Sequence, residues 1–467
     1  MVTLRRILCL LAIMSAVALP AQGRRPNFLV LVSDDQRPDT IAALGNEVIE
    51  TPNLDSLVRD GVSFSRAVCS SPICVASRAE ILTGRIGFTT GALAVRENRV
   101  RESQRSWPRT LADAGYETWY VGKWHTAGRP SDWGYSETLG LYSGGGGKWM
   151  EPQKDWKGFE VTGYRGWVFQ TDEKELFPER GVGLTPNISA KFANAAVELI
   201  EHGSEKPFFL HVNFTAPHDP LLMPPGMEGE YRAEAMELPP NFLPQHPFDH
   251  GNFEGRDEAL LPWPRPRGLV KEVLAMYYSV VTDLDRQVGR ILKALDDSGQ
   301  RENTVVIFTS DHGIAVGSHG LRGKQNMYEH TINVPLIVGG PGIEKGKVSD
   351  AQVYLRELFP TTCELAGVPV EAELDGRSFA PVLRGEQEDP RRDEIYGYFR
   401  DCQRMIRTDR WKLIHYPLIG RDQLFDLSRD PYELEDLSAS ADHREVREKL
   451  ERRLETWRSE VGDPVAN

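Results

Sequence analysis

Cysteine is scarce in this chain. Five occur in 467 residues: Cys9, Cys69, Cys74, Cys363 and Cys402. That is too few for a small scaffold stapled by disulfides. Long apolar runs are missing as well. The longest spans residues 7–19 and is too short to cross a bilayer. Basic charge is in deficit, with 55 Lys and Arg against 68 Asp and Glu and a net charge of −13. The field of the whole protein therefore repels a polyanion, and nucleic acid is not an expected partner. An anionic substrate would need a local cluster of Arg, Lys or metal to overcome that background. No internal repeat is present, which excludes a solenoid or propeller array.

What is there begins with a leader pattern. Arg5 and Arg6 precede the apolar run, and Pro20-Ala21-Gln22-Gly23 follows it. Residues 1–23 are expected to be a cleavable signal peptide, with small residues at the −3 and −1 sites. An uncleaved anchor and a buried N-terminal helix are the alternatives. Cys9 lies too early to accept a lipid. The mature protein is expected to be secreted or periplasmic, without stable membrane insertion. Of its four cysteines at most one pair can form if Cys74 is consumed chemically.

With 40% hydrophobic and 26% charged residues, the rest of the chain has the composition of an ordinary globular protein. Continuous apolar runs at 27–33 (NFLVLVS), 304–310 (TVVIFTS) and 208–214 (FFLHVNF) read as strands buried on both faces. A fourth strand at 117–121 precedes Gly122-Lys123-Trp124-His125. Helical patterns at 51–60, 77–83, 187–202 and 272–297 lie between them. Strands alternating with helices predict an α/β fold, a large mixed sheet sandwiched by helices, with ligands beyond the carboxyl ends of its strands. Those ends deliver Asp34-Asp35, Asp311-His312, Pro217-His218 and Lys123-Trp124-His125.

Residues 126–184 and 221–267 resist the pattern and read as substrate walls or covering insertions. Trp149, Trp156, Trp263, Arg265, Arg267 and Arg400 are candidates for a pocket rim, because aromatic faces pack on sugar rings. Short strands at 394–399, 403–407, 411–416 and 423–426, then a charged helix at 442–460, predict a smaller C-terminal antiparallel sheet plus helix. The expected division is 24–388 for the catalytic domain and 389–467 for the small subdomain, with the linker near 385–391.

Two adjacent carboxylates after a buried strand are costly unless a cation neutralises them. A second strand end carrying Asp311-His312 makes a shared metal the better account of Asp34 and Asp35 than turn chemistry. Three carboxylates and one imidazole form an oxygen-rich site that suits Ca²⁺ or Mg²⁺. His211 sits inside an apolar strand and reads as core. His319 and His330 follow the metal segment without a clear role.

The segment Cys74-Val75-Ala76-Ser77-Arg78, continuing to Thr83-Gly84-Arg85, resembles the signature of the formylglycine-dependent sulfatases, Cys-x-Pro-x-Arg followed by Thr-Gly-Arg. Gly122-Lys123-Trp124-His125, Pro217-His218-Asp219-Pro220, Asp311-His312-Gly313, Gly323-Lys324 and Tyr328-Glu329 follow in that family's order. So do Ile406 to Lys412 and Leu424-Phe425-Asp426-Leu427 near the C-terminus. The likeness covers roughly residues 26–440. One position departs: Ala76 stands where Pro is usual.

The resemblance implies a type I sulfatase of the alkaline-phosphatase-like superfamily, binding Ca²⁺ and acting on a sulfated carbohydrate or an aryl or alkyl sulfate. It implies that a maturation enzyme converts Cys74 to formylglycine (3-oxoalanine), whose hydrate attacks sulfur and joins Asp34, Asp35, Asp311 and His312 on the metal. Arg78 and Lys123 would support the hydrate and His125 would take its proton. Lys324 and His218 would bind sulfate and assist the leaving oxygen. Attack on a stable anion needs such neutralisation, and a hydrated aldehyde has a second hydroxyl with which to expel sulfate where a thiol has none. Two alternatives stand beside this reading: a phosphatase or phosphodiesterase of the same superfamily, and a non-catalytic glycan-binding homologue in which Cys74 stays a thiol.

Overall fold

The computed structural model describes residues 25–95, 100, 105–370, 373–386 and 392–465. The expected leader lies outside the described residues, as does most of the expected linker.

In chain order the strands are β1 (Asn27–Ser33), β2 (Gly61–Val68), β3 (Glu117–Lys123), β4 (Glu137–Gly144), β5 (Gln153–Lys154), β6 (Glu160–Val161), β7 (Trp167–Gln170), β8 (Leu176–Val182) and β9 (Phe208–Asn213). They continue as β10 (Thr304–Ser310), β11 (Asn333–Gly339), β12 (Lys347–Ser349) and β13 (Val353–Tyr354). Last come β14 (Ile395–Phe399), β15 (Gln403–Arg407), β16 (Trp411–Tyr416) and β17 (Arg421–Asp426). The helices are α1 (Pro52–Asp60), α2 (Cys74–Thr83), α3 (Gly87–Thr90), α4 (Trp107–Asp113), α5 (Ile188–His202) and α6 (Arg267–Asp297). They end with α7 (Glu329–Ile332), α8 (Leu358–Leu365), α9 (Ala380–Leu383) and α10 (Arg444–Glu460).

Eleven strands form one mixed sheet in the order β12-β2-β11-β10-β1-β9-β3-β4-β7-β8, with β13 also on β2. The five from β10 to β4 run parallel, and the flanks are antiparallel through β11 on one side and β7 on the other. Side chains on a strand alternate between faces, so β1 divides cleanly. Leu29 and Leu31 join α5 and α6 through Phe192, Leu199, Val281 and Leu284. Phe28, Val30 and Val32 join α2, α4 and α8 through Leu82, Trp107, Leu111 and Phe359. Helices on both faces explain why the central strands read as unbroken apolar runs. Truncating a residue of such a core, Phe308 to Ala for example, costs about 3–5 kcal/mol.

Strands β14 to β17 make a separate four-stranded antiparallel sheet. Its alternation is also two-sided. Ile406, Leu413 and Leu424 meet Leu450 and Leu454 of α10. Met405, Ile414 and Phe425 face the large domain, where Ile73, Ala76 and Tyr328 complete the cluster. Among the described residues no helix is long and apolar enough to cross a membrane. Cys69, Cys74, Cys363 and Cys402 are all free and buried.

Candidate active site

Four neighbouring parallel strands, β10, β1, β9 and β3, end side by side. Ser33 pairs with Ser310, Val32 with Asn213, and Gly122 with Asn213. The backbone continues the pairing one step further, with Asp34 N–H donating to Ala216 O (2.9 Å) and Asp311 N–H to Ser33 O (3.2 Å). The residues just past each end are therefore collected at one edge. A Cβ on Gly122 would lie 2.0 Å from Asn213 O, so only glycine lets β3 approach β9 here.

Asp34 and Asp35 are consecutive, and on an extended strand they would face opposite sides. Asp35 has φ 69°, in the left-handed region, which turns both carboxylates toward the same point. Non-glycine residues held there cost energy that the surrounding contacts must offset.

Cys74 opens α2, whose ten residues are all buried. A helix enclosed on every side shows no apolar stripe, and the pattern read at 77–83 missed its first three residues, Cys74 to Ala76. Gly84 at φ 66° ends it, donating to Glu80 O. Glu80 anchors the helix inside, accepting from Arg356 Nη1 (3.1 Å) and Tyr398 OH (2.8 Å). The helix N-terminus, with its partial positive charge, points into the site.

Cys74 Sγ lies 3.4 Å from Asp34 Oδ1, 3.3 Å from His312 Nε2 and 3.5 Å from Lys324 Nζ. Lys324 Nζ also donates to Asp35 Oδ1 (2.9 Å), and Lys123 Nζ and Tyr164 OH both donate to Asp34 Oδ2. Arg78 donates from Nε to Asp311 Oδ2 (2.9 Å) and from Nη1 to Asn213 Oδ1. His218 Nε2 stands 3.9 Å from Asp35 Oδ2, while its Nδ1 is 3.2 Å from Asp219 Oδ1. Arg256 forks onto Asp219 at 2.6 and 2.8 Å. His125 is set edge-on to Trp167 with centroids 5.1 Å apart, and its Nδ1 is buried without a partner.

Burial alone would raise the Cys74 thiol, but Lys123, Lys324, His312 and a hydrogen bond with His125 hold it well below the usual thiol range. Burial also opposes ionisation of Asp34, yet Lys123, His218 and Arg78 outweigh it and keep that carboxyl low. Asp311 goes the other way, raised to about 6 by burial and by Asp34. His312 resists its burial and rises to about 9 because Asp311, Cys74 and Asp35 surround it. His125 is lowered by burial and Lys123 and stays a neutral imidazole.

Asp34, Asp35, Cys74 and His312 bring one ligand atom each within 4.8 Å of the others. Two carboxylates and an imidazole, with a fourth donor position at Cys74, fit a divalent cation, and the oxygen share favours a hard one. Asp311 borders the group, 3.7 Å from His312 Nε2, but one oxygen is given to Arg78.

All the residues expected at the site from sequence converge there: Asp34, Asp35, Cys74, Arg78, Lys123, His125, His218, Asp311, His312 and Lys324. The rim candidates do not behave alike. Trp156 is half-buried, packed against the large core, with its backbone N–H donating to Leu221 O (3.1 Å). Arg265 is buried against Glu258, Gly320 and Leu261, because five donors in an enclosed place need acceptors, and it forms no rim. Trp263 stacks on Phe253 at 4.4 Å. His319 and His330 are buried beside Tyr328, so neither is a surface residue. His211 is core, its Nδ1 2.8 Å from Tyr135 OH. Sequence reasoning did not single out Tyr164 and Asn213. Asn213 ends β9 and was findable on that ground; Tyr164 arrives from an irregular stretch that carries no periodic signal.

A parallel sheet whose strand ends gather cations and metal-ready carboxylates carries its site where open α/β folds bind ligands, beyond the carboxyl ends of the strands. The profile of the family described as Sulfatase matches residues 26–368. A second, described as N-sulphoglucosamine sulphohydrolase, C-terminal, matches residues 317–460. The chain belongs to the sulfatase family, and it is a sulfuric ester hydrolase of type I. It is 29% identical over 464 residues to an arylsulfatase of Clostridium perfringens, covering 90% of this chain and 92% of the relative. It is 25% identical over 524 residues to an N-acetylglucosamine-6-O-sulfatase of Bacteroides thetaiotaomicron, covering 95% and 88%. Among solved structures, a protein in complex with its substrate D-glucosamine-2-N,6-O-disulfate superimposes with TM-score 0.76 at 23% identity, covering 94% of this chain and 99% of that one. A phosphonate monoester hydrolase of Agrobacterium radiobacter gives 0.75 at 21%, covering 94% and 96%; both likenesses are of fold.

Proposed function

We propose that this sulfatase hydrolyses the sulfate monoester of a carbohydrate, or of an aryl or alkyl alcohol, at the Cys74 cluster, after conversion of Cys74 to formylglycine and with Ca²⁺ as the metal. The observation that carries this reading is the setting of Cys74 Sγ, within 3.5 Å of Asp34, His312 and Lys324 at the buried start of α2. Relatives named for sulfate removal from N-acetylglucosamine and from ulvan support the carbohydrate arm. An oxygen-rich donor set supports Ca²⁺, with Mg²⁺ second.

Asp34, Asp35, His312 and Asp311 would hold the ion, which supplies Lewis-acid polarisation of a sulfuryl oxygen. Formylglycine would supply, when hydrated, one hydroxyl to attack sulfur and a second whose deprotonation drives out the sulfate. The chain's own groups do the rest. Arg78, held by Asp311 and Asn213, keeps its charge toward Asp34 and the helix start. Lys123 and Lys324 bring two ammonium groups to the same place, so an incoming sulfate meets fixed cations that need no reorganisation. His125, lowered by burial and hydrogen-bonded to Cys74, can take a proton there. Burial and Lys324 oppose a proton on His218, but Asp35, Asp219 and Asp34 outweigh them and raise its proton affinity, which suits it to assist the departing oxygen as an acid from Nε2.

A preference for phosphate would move the chain to the superfamily's phosphoryl-transfer branch. Rates on 4-nitrophenyl sulfate and 4-nitrophenyl phosphate decide it. Sulfate is expected to be faster by at least tenfold, and the reverse order rejects the reading.

A further inference from the structure

His218 Nδ1 stands 2.6 Å from the backbone O of Asp219 and 3.2 Å from Oδ1 of the same residue. Both neighbours only accept hydrogen bonds, so Nδ1 carries a proton in either charge state of the ring. Nε2 is then the nitrogen left for chemistry, and it faces the site, 3.9 Å from Asp35 Oδ2. Its aim holds only as long as Asp219 keeps still.

Asp219 is held from outside the cluster. Arg256 meets its carboxylate with both arms, Nη1 to Oδ2 at 2.6 Å and Nη2 to Oδ1 at 2.8 Å. Two planar groups paired in this way fix the plane of the carboxylate as well as its place, which a single ammonium cannot do. Space closes another side. A Cβ on Gly163 would lie 2.6 Å from Asp219 O and 3.0 Å from Arg256 Nη1, so the backbone presses on the pair and only glycine fits. The next residue, Tyr164, sets its ring T-shaped against His218 with centroids 4.8 Å apart.

Arg256 is anchored in its turn. It belongs to Arg256-Asp257-Glu258, three charged residues within the stretch 221–267 that reads in sequence as a substrate wall. Three consecutive charges usually make a solvated face, yet Asp257 is 2% and Glu258 1% exposed. Such burial is costly unless each charge is matched. Asp257 pairs with Arg256 Nη2, and Glu258 pairs with Arg265. Glu258 also accepts from the backbone N–H of Arg322 and of Gly323, each at 2.8 Å, and so grips the turn that leads to Lys324.

We propose that Arg256 and Asp219 are positioning residues of the hydrolysis: Arg256 locks Asp219, and Asp219 aims His218 Nε2 at the departing oxygen, a role for Nε2 that rests on the proposed function. As the bond from sulfur to that oxygen breaks, the Nε2 proton passes to the oxygen and the N–H electron pair stays on the ring. Nδ1 keeps its own proton on Asp219 throughout.

The test compares kcat/KM on 4-nitrophenyl sulfate and on phenyl sulfate. A 4-nitrophenolate departs readily without a proton, and a phenolate far less so. Arg256→Met should lower the phenyl sulfate value by at least about tenfold, part of the roughly 100- to 10,000-fold that a general acid supplies. The 4-nitrophenyl sulfate value should fall by less than about threefold. Protein lost to misfolding lowers both alike, so their ratio reads position and not stability. Asp219→Asn should shift the ratio in the same direction. The double variant removes both charges together, leaves no buried partner behind and should be no worse than Asp219→Asn alone. Arg256→Lys, which keeps the charge without the fork, should restore the ratio only in part. An unchanged ratio in Arg256→Met overturns the proposal, as do single effects that multiply in the double variant. His218→Ala separates the two levels. If it shifts the ratio and Arg256→Met does not, the acid stands and the positioning pair falls; if neither shifts it, the role given to His218 falls as well. Should the unsubstituted protein prefer the matching phosphate esters, the sulfatase reading fails, and the same ratio on those esters still judges the pair.

Discussion

Arg78 Nε lies 2.9 Å from Asp311 Oδ2, and both side chains are buried. The carboxylate aims the guanidinium, and the guanidinium's other arm reaches Asn213 at the end of β9, on the far side of β1. Asp311 thus divides its two oxygens between holding a cation and bordering the metal-ready group.

The first prediction follows from that division. Arg78→Lys keeps the charge but loses the planar fork, so kcat/KM on an aryl sulfate should fall by at least about 100-fold. Arg78→Ala leaves Asp311 and Asp34 short of a partner and should cost about 3–5 kcal/mol in urea denaturation. An Arg78→Lys enzyme of undiminished kcat/KM would show that the fork has no role.

Metal removal is the second. Asp34 and Asp35 are adjacent, buried and turned to one point, so an ion bound there stabilises the folded state. At a free concentration of 100 Kd the gain is about 2.7 kcal/mol. For a chain of this size that is several degrees of Tm. EGTA should lower Tm and abolish turnover, and Ca²⁺ should restore both. The reading fails if Tm and rate ignore the chelator. Asp35→Asn should weaken the response without unfolding the protein.

The third concerns Cys74. Cys74→Ala should abolish turnover while costing only about 1 kcal/mol of stability, since a small group replaces a small group. Mass analysis of the peptide spanning residues 67–78, in protein made by a host able to form formylglycine, should show the aldehyde or its hydrate. A thiol mass in a fully active preparation would refute the assigned nucleophile.

The fourth is acid lability. Burial lowers His211, His250 and His319 to about 3 and His246 to about 4. Unfolded, each titrates near 6.5. Between these values the unfolded chain binds more protons, so this contribution to stability is present above about pH 6.5 and is lost as pH falls toward 4. Four such groups give a slope on the order of 5 kcal/mol per pH unit well inside that window. Urea midpoints measured from pH 5 to 8 should show it, and His250→Asn should flatten the slope by one proton. An unchanged slope in that variant would mean His250 is not buried neutral.

The central strands were legible because enclosure on both faces leaves a simple mark, an apolar run that stops at polar residues. The reading of 27–33 and 304–310 matches β1 and β10 residue for residue, and the C-terminal segments 403–407 and 411–416 match β15 and β16. The antiparallel flank was harder. Neither β2 nor β11 was singled out, since β2 interleaves serine with apolar residues and β11 contains Pro335. The extent of α2 was invisible by periodicity for the opposite reason, burial all round. Strand ends disclosed most of the candidate site, but Tyr164 reaches Asp34 across 130 residues of chain through an irregular stretch. Arg265 shows the limit of composition: a loop arginine near tryptophans reads as a rim, whereas its donors are spent internally on Glu258 and two carbonyls.

Finally, the way α2 is enclosed sets a schedule. Glu80 fixes this helix partly through Tyr398, which lies 318 residues further along the chain, and Ala76 shares its apolar cluster with β15 to β17. A ribosome must therefore finish the C-terminal quarter before the helix can be sealed. Throughout that interval Cys74 stands open to another protein, and afterwards it is 3% exposed. Whatever happens to its sulfur at the hands of a second macromolecule belongs to the birth of the chain, and a molecule that folds first has missed its appointment.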